Sequence, residues 1–98
     1  MRQIATALPD SIPGCGHAGH HPHLVATHGS PAGARVGVHM PTSWHIECCR
    51  CQRATVPTLS RAMAESRWTD PAGTHHIPLS HLPRAREQLA AALLVSAA

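Results

Sequence analysis

The chain has 98 residues, of which 43% are apolar, and its eight Arg and five acidic side chains give a formal net charge of +3 without a single Lys. This length fits one small domain, near the lower size at which a hydrophobic core alone is sufficient. The core must be thin, because the sequence contains two Trp and neither Phe nor Tyr, so we expect a metal ion or a partner surface to add stability. The charge is too small to indicate a nucleic-acid or acidic partner by itself, and no apolar run reaches the roughly 20 residues of a membrane span.

The first third of the chain, residues 1–34, is rich in Gly, Pro and His and contains several turn signals. This composition predicts mostly loop, with one short strand at 24–26, and residues 1–11 are predicted to be an N-terminal tail. The first residues lack the apolar stretch of a signal peptide. We therefore expect the protein to act in the cytoplasm.

Alternating apolar residues follow in the middle of the chain. Residues 36–40 and 44–48 each place apolar side chains on one face, which predicts a β-hairpin whose second strand ends at Cys48. A third short strand is predicted at 54–56. Together with the helix that follows, these elements predict a small α+β fold of the zinc-ribbon kind, in a domain spanning residues 12–70.

Two helices are predicted after the strands. The first begins between Pro57 and Ser60, runs for about ten residues and ends at a turn over 70–73. Its apolar stripe is predicted to consist of Leu59, Ala62, Met63 and Trp68. The second helix lies in residues 71–98, a linker and C-terminal helix, and is predicted to start with Ser80 as its N-cap. Its apolar face is predicted to hold Leu82, Ala85, Leu89, Ala92 and Leu93.

Cysteine spacing gives the clearest functional signal. Cys48 and Cys51 are separated by two residues after a strand, a spacing that points both sulfurs at one ion. Thiolates combined with imidazole favour zinc, and Cys49, between the two ligands, is predicted to point away. The alternative is that these are unrelated buried cysteines.

The remaining ligands are expected from the N-terminal third, where Cys15 is followed by several histidines. We predict His20 as the fourth ligand, because Cys-x4-His is a chelating spacing, and His17 as the alternative ligand. The ten histidines of the chain also leave open that this segment stores or senses metal.

A family resemblance is carried by three segments. Residues 44–52 read Trp-His-Ile-Glu-Cys-Cys-Arg-Cys-Gln, 54–57 read Ala-Thr-Val-Pro, and 60–68 read Ser-Arg-Ala-Met-Ala-Glu-Ser-Arg-Trp. A strand ending in Cys-x-x-Cys, a short strand, and a helix that carries Glu and Ala and ends in Trp resemble the small zinc-ribbon proteins of the restriction-alleviation (Lar-like) type, commonly encoded by phages and prophages. The resemblance covers residues 12–68 and is most specific over 44–68.

Two positions depart from that family. Its first ligand pair stands in Cys-Pro-x-Cys-Gly, where this chain has Ile12 in place of the first Cys, and Gln52 replaces the usual Gly after the second pair. The resemblance therefore implies a zinc site in which a histidine near Cys15 replaces one ligand. It further implies a phage or prophage protein that acts in a bacterial host cell by binding a protein partner, as an inhibitor or modulator of a host defence complex of the restriction or CRISPR type.

Catalysis is not expected. A catalytic zinc keeps an open position near a general base, and the one nearby carboxylate, Glu47, is predicted to point away from Cys48. The partner-binding surface is predicted to include Arg50, Arg53, Arg61 and Arg67. The alternative is that these arginines bind nucleic-acid phosphates. The apolar end of the C-terminal helix also allows a homodimer.

Overall fold

Strand β3, Ser43–Cys48, lies at the centre of an antiparallel sheet. The computed structural model describes residues 2–29 and 40–97. Within these residues the strands follow one another across the sheet in sequence order: β1 Arg2–Ala7, β2 His23–His28, β3, β4 Arg53–Thr55 and β5 His76–Pro78. Two helices, α1 Arg61–Thr69 and α2 Leu82–Ala97, complete a small α+β fold. The predicted fold class is confirmed.

The hairpin of the ribbon is formed by β3 and β4, whose register places Cys48 opposite Arg53. The sequence analysis predicted that residues 36–40 pair with β3; in the part of the chain that the structure describes, β3 pairs with β2 on one side and with β4 and Thr58 on the other. Apart from Met40, the predicted strand itself lies outside the described residues. The segment between β3 and β4, residues 48–51, is called the knuckle below.

The core lies between the centre of the sheet and α1. Leu24 of β2 stands opposite Ile46 of β3, and both side chains are buried. The buried cluster consists of Leu24, Ile46, Cys48, Ala64 and Trp68. Cys15 and Cys51 pack against this cluster, so the cysteines are part of the same apolar unit as the core.

Helix α1 begins where Ser60 caps it, its hydroxyl accepting a hydrogen bond from the Met63 N–H at 3.2 Å. It ends at a turn in which the Gly73 N–H donates to the Asp70 carbonyl at 3.0 Å. The buried face holds Ala64 and Trp68, spaced four residues apart. The predicted stripe is therefore wrong apart from Trp68: Leu59 is 41% and Met63 47% exposed, because the helix turns its indole toward the sheet.

Helix α2 follows a short 3-10 turn, Leu79–His81, which occupies the position predicted for a Ser80 cap. Leu82 and Ala85 at its start are buried, and Pro83 is accommodated in its first turn. Further along the predicted face, Leu89 and Leu93 are half-buried. Among the described residues, neither helix combines the length and apolar character needed to cross a bilayer.

The N-terminal residues form a strand instead of the predicted loop and tail. Arg2–Ala7 pairs with β2 along its whole length, with Ile4 opposite Ala26. Every residue of β1 is exposed, so no buried alternation could have revealed it. Its order comes from the hydrogen-bond ladder and from side-chain contacts such as Thr6, whose hydroxyl donates to the Leu24 carbonyl at 3.4 Å.

Candidate metal centre

The knuckle carries two sulfurs at the end of β3. Cys48 is buried and Cys51 is half-buried, and the chain re-enters the sheet at Arg53. Gln52 makes this tight return with a left-handed φ of 55°, a conformation that ordinarily favours Gly. The Gln52 amide donates to the Cys49 carbonyl at 2.6 Å, which offsets part of the backbone strain.

The loop over residues 15–20 presents the other donors. Gly16 and Gly19 both have positive φ values, 82° and 78°, which reverse the chain on either side of His17. The loop is attached to α1 because the Trp68 indole N–H donates to the Pro13 carbonyl at 2.9 Å. Ile12, which precedes this loop, packs against the core.

Four donor atoms from these two segments meet at short separations. The Cys15 and Cys48 Sγ atoms are 3.9 Å apart, and the His20 Nδ1 lies 3.5 Å from Cys15 Sγ, 3.7 Å from Cys48 Sγ and 3.2 Å from Cys51 Sγ. In a tetrahedral zinc site, bonds of about 2.3 Å to sulfur and about 2.05 Å to nitrogen place two sulfurs about 3.8 Å apart and sulfur and nitrogen about 3.5 Å apart. The four measured separations are close to these values, so the donors can approach one metal ion together.

The alternative ligand lies in the same cluster. His17 Nδ1 is 3.5 Å from Cys51 Sγ, and the donor atoms of Cys15, His17, His20 and Cys51 all lie within 4.8 Å of one another. The structure thus brings together all five side chains that the sequence analysis singled out as ligands or alternatives. A Cys/His cluster able to hold a metal ion is present.

The two shifted pKa values in the cluster act in opposite directions on metal binding. Burial, followed by the neighbouring His17 and Arg50, lowers the pKa of His20, which favours the neutral imidazole that binds metals. Burial and hydrogen bonds with the thiols of Cys48 and Cys15 raise the pKa of Cys51 to about 11. Without a cation Cys51 is therefore protonated at neutral pH, and metal binding must release its proton.

Cys49 points away from the cluster, as its position between the ligands predicted. Its thiol is exposed and donates to Glu47 Oε2 at 3.5 Å, and this hydrogen bond is the largest cause of the raised pKa of Cys49. The other oxygen of Glu47 lies 2.8 Å from Nε2 of the buried His45. The carboxylate nearest in sequence to the knuckle is thus engaged in hydrogen bonds outside the sulfur cluster.

The four arginines predicted to bind a partner make intramolecular contacts. The Arg53 guanidinium lies 4.9 Å from the Trp68 ring centre, and Arg67 donates to the Val56 carbonyl at 3.0 Å. Arg50 donates to the Gly19 carbonyl at 3.4 Å, which links the knuckle to the 15–20 loop, and Arg61 lies 3.5 Å from Glu65. Arg50 and Arg61 are exposed, whereas Arg53 and Arg67 are half-buried.

The sequence analysis did not predict that Trp68 helps to position the site. Its indole ties the Cys15 loop to α1 and also stacks on His76, with ring centres 5.8 Å apart. No spacing in the sequence connects Trp68 with Pro13, 55 residues earlier. The contact depends on the tertiary fold alone.

Scans against protein-family models, curated proteins and solved structures each return no match. The resemblance to restriction-alleviation proteins therefore stays an expectation from residues 12–68, and the site is described by its own geometry.

Proposed function

We propose that this is a small zinc-binding protein in which Cys15, His20, Cys48 and Cys51 hold one structural zinc ion. The observation that carries the proposal is that donor atoms from two segments far apart in sequence lie at separations close to those of a tetrahedral zinc site. Three sulfurs and one imidazole nitrogen form a donor set that suits zinc better than magnesium or calcium, which prefer oxygen ligands. Four protein ligands leave no open position, so the ion is structural and the protein is not an enzyme.

Zinc would stabilise the end of the sheet at which the knuckle lies. The ion joins the 15–20 loop to the knuckle, and Cys15 and Cys51 already pack against the core. Among the residues that the structure describes, the core cluster has five buried members, two of which are Cys48 and Ala64. A metal ion therefore supplies stability that such a core lacks.

We further propose that the surface held in place by zinc binds a protein partner. Leu59, just before α1, and Met63 within it are both exposed, and α1 also carries the ion pair of Arg61 and Glu65. Apolar side chains with a polar surround are typical of protein-binding surfaces. The resemblance to phage-encoded restriction-alleviation proteins suggests the class of partner, a bacterial defence complex of the restriction or CRISPR type.

The alternative function, binding nucleic acid through Arg50, Arg53, Arg61 and Arg67, has less support. A phosphate-binding surface needs guanidinium groups that are free to face the backbone of the nucleic acid. Arg53 lies over an indole and Arg67 is bonded to a main-chain carbonyl. Tight binding to nonspecific duplex DNA that falls steeply with salt would revive this alternative.

Metal titration tests the zinc proposal. Cobalt titrated into the full chain should give one tight equivalent with the intense visible bands of a tetrahedral site and a thiolate charge-transfer band. Cys15→Ser should weaken that band and the affinity, whereas His75→Ala, an exposed histidine elsewhere in the chain, should leave both unchanged. One tight equivalent that is insensitive to Cys15→Ser would refute the ligand set, and several equivalents would favour metal storage.

Phage plating tests the partner proposal. Expression of the chain in a restricting or CRISPR-active bacterium should raise the plating of a targeted phage. The double variant Leu59→Glu, Met63→Glu should abolish this effect while retaining one zinc per chain, because both side chains are exposed. No change in plating on either kind of host would overturn the defence-complex assignment.

A further inference from the structure

The metal cluster contains one donor more than a tetrahedral ion can use. The donor atoms of Cys15, His17, His20 and Cys51 all lie within 4.8 Å of one another, and the buried Cys48 Sγ lies 3.9 Å from Cys15 Sγ, so the cluster holds five donors. His17 Nδ1 lies 3.5 Å and His20 Nδ1 3.2 Å from the sulfur of Cys51. Two imidazoles of one loop thus already lie against a single ligand.

The two imidazoles differ in their access to solvent. His20 is half-buried and approaches three of the cysteines, whereas His17 is exposed and approaches the cluster from outside. Their ring centres are 5.0 Å apart and the rings are tilted by 34°. His17 could take the position of His20 beside Cys51 after only a short displacement of the loop.

The backbone between the two histidines is suited to such a displacement. Gly16 and Gly19 stand on either side of residues 17–18, and both have φ values in the left-handed region. The turn is closed by a long hydrogen bond of 3.3 Å from the His20 N–H to the His17 carbonyl. Glycine reaches this region at no steric cost, so rotations at these two positions can move His17 without moving the strands.

We propose that His17 is an exchange ligand, which takes the place of His20 on the ion and so lets zinc pass between this protein and small chelators or other thiolate sites. This inference rests on the proposed zinc site. In the exchange, a bond from zinc to His17 Nδ1 would form as the bond to His20 Nδ1 breaks, and a donor atom of the incoming chelator would then displace the exposed His17 from the ion. No electron is transferred in either step. The four resident ligands would then hold zinc at equilibrium, but zinc could still pass to a chelator that binds before the ion leaves.

Transfer kinetics test this assignment. The zinc-loaded full chain is mixed with excess 4-(2-pyridylazo)resorcinol, and the coloured zinc complex is followed by stopped flow. His17→Ala should slow the transfer by about tenfold, which corresponds to a loss of about 1.4 kcal/mol of transition-state stabilisation. The cobalt spectrum and the stoichiometry of one metal per chain should stay as in the wild type, because His17 does not belong to the resident set.

His21→Ala is the matched control, because His21 is also exposed and lies in the same loop region but is not among the clustered donors. It should exchange zinc at the wild-type rate. Equal rates for the wild type and His17→Ala would overturn the exchange role. A cobalt spectrum altered in His17→Ala but not in His20→Ala would make His17 the resident ligand, and would overturn it as well. Failure of the wild type to bind zinc would instead refute the zinc site itself.

Discussion

The indole N–H of Trp68 donates a hydrogen bond to the carbonyl oxygen of Pro13 at 2.9 Å, and this contact ties helix α1 to the loop that presents Cys15. The same ring packs in the core and lies under the guanidinium of Arg53. One side chain therefore connects the core, the sheet and the proposed metal site.

Trp68→Phe should loosen the site while retaining an aromatic ring in the core. We expect the free energy of unfolding to fall by about 1–3 kcal/mol, because a buried hydrogen bond and part of the core volume are lost. Zinc affinity should fall too, because the Cys15 loop is less well held. Trp44→Phe removes the other indole and should leave zinc affinity unchanged. Chelator competition that gave equal zinc affinity for the wild type and Trp68→Phe would contradict this account.

Removal of zinc should destabilise the protein measurably. Zinc at a hundredfold excess over its dissociation constant contributes about 2.7 kcal/mol to folding by mass action. A chelator should therefore lower the Tm of the wild type and leave the Tm of Cys51→Ser unchanged, since that variant lacks a ligand. A wild-type Tm that does not respond to the chelator would show that no metal stabilises the fold.

Glu47 should stabilise the fold in a pH-dependent manner. The hydrogen bond with His45 is the main cause that lowers the pKa of Glu47, so the carboxylate is favoured in the folded state. The stabilisation is complete above the ordinary Glu pKa of about 4.3 and is lost as the pH falls through the lowered folded-state value.

Glu47→Gln tests this contribution by urea denaturation in the presence of a chelator, so that zinc release does not contribute. We expect the variant to be less stable by about 1.5 kcal/mol at pH 7, and the difference to shrink toward acidic pH. A difference that stayed constant between pH 7 and about pH 3 would mean that the carboxylate charge is not responsible.

Two arginines should differ in their effect on stability. Arg53→Gln removes a half-buried cation from the Trp68 ring and should cost about 1 kcal/mol. Arg61→Gln removes an exposed ion pair with Glu65 and should cost no more than about 0.5 kcal/mol. Thermal unfolding of both variants measures the loss of stability in each. A larger loss of stability for Arg61→Gln than for Arg53→Gln would contradict the structural role of Arg53.

The sequence predicted the local features of this fold better than the long-range ones. The strand ending at Cys48, the helix start placed between Pro57 and Ser60 and the turn after Asp70 depend on residues next to one another, and each is present. The strand β1 was missed because it is exposed along its length and is ordered only by pairing with β2.

For the site, too, the sequence predicted the local pattern of ligands but not the long-range contacts. Spacing drew attention to Cys48, Cys51 and the histidines after Cys15, because chelating ligands occur in close pairs. The internal contacts of Arg53 and Arg67 were not predictable, since their partners Trp68 and Val56 are brought to them by tertiary packing.

The zinc content of two neighbouring cysteine variants tests the central claim most directly. Cys48 Sγ lies 3.7 Å from His20 Nδ1, whereas the thiol of Cys49 points to Glu47 on the other side of the strand. The full chain purified with zinc should carry one equivalent in the wild type and in Cys49→Ser, and much less than one in Cys48→Ser. One equivalent of zinc retained in Cys48→Ser, or lost in Cys49→Ser, would contradict the metal site proposed for this protein.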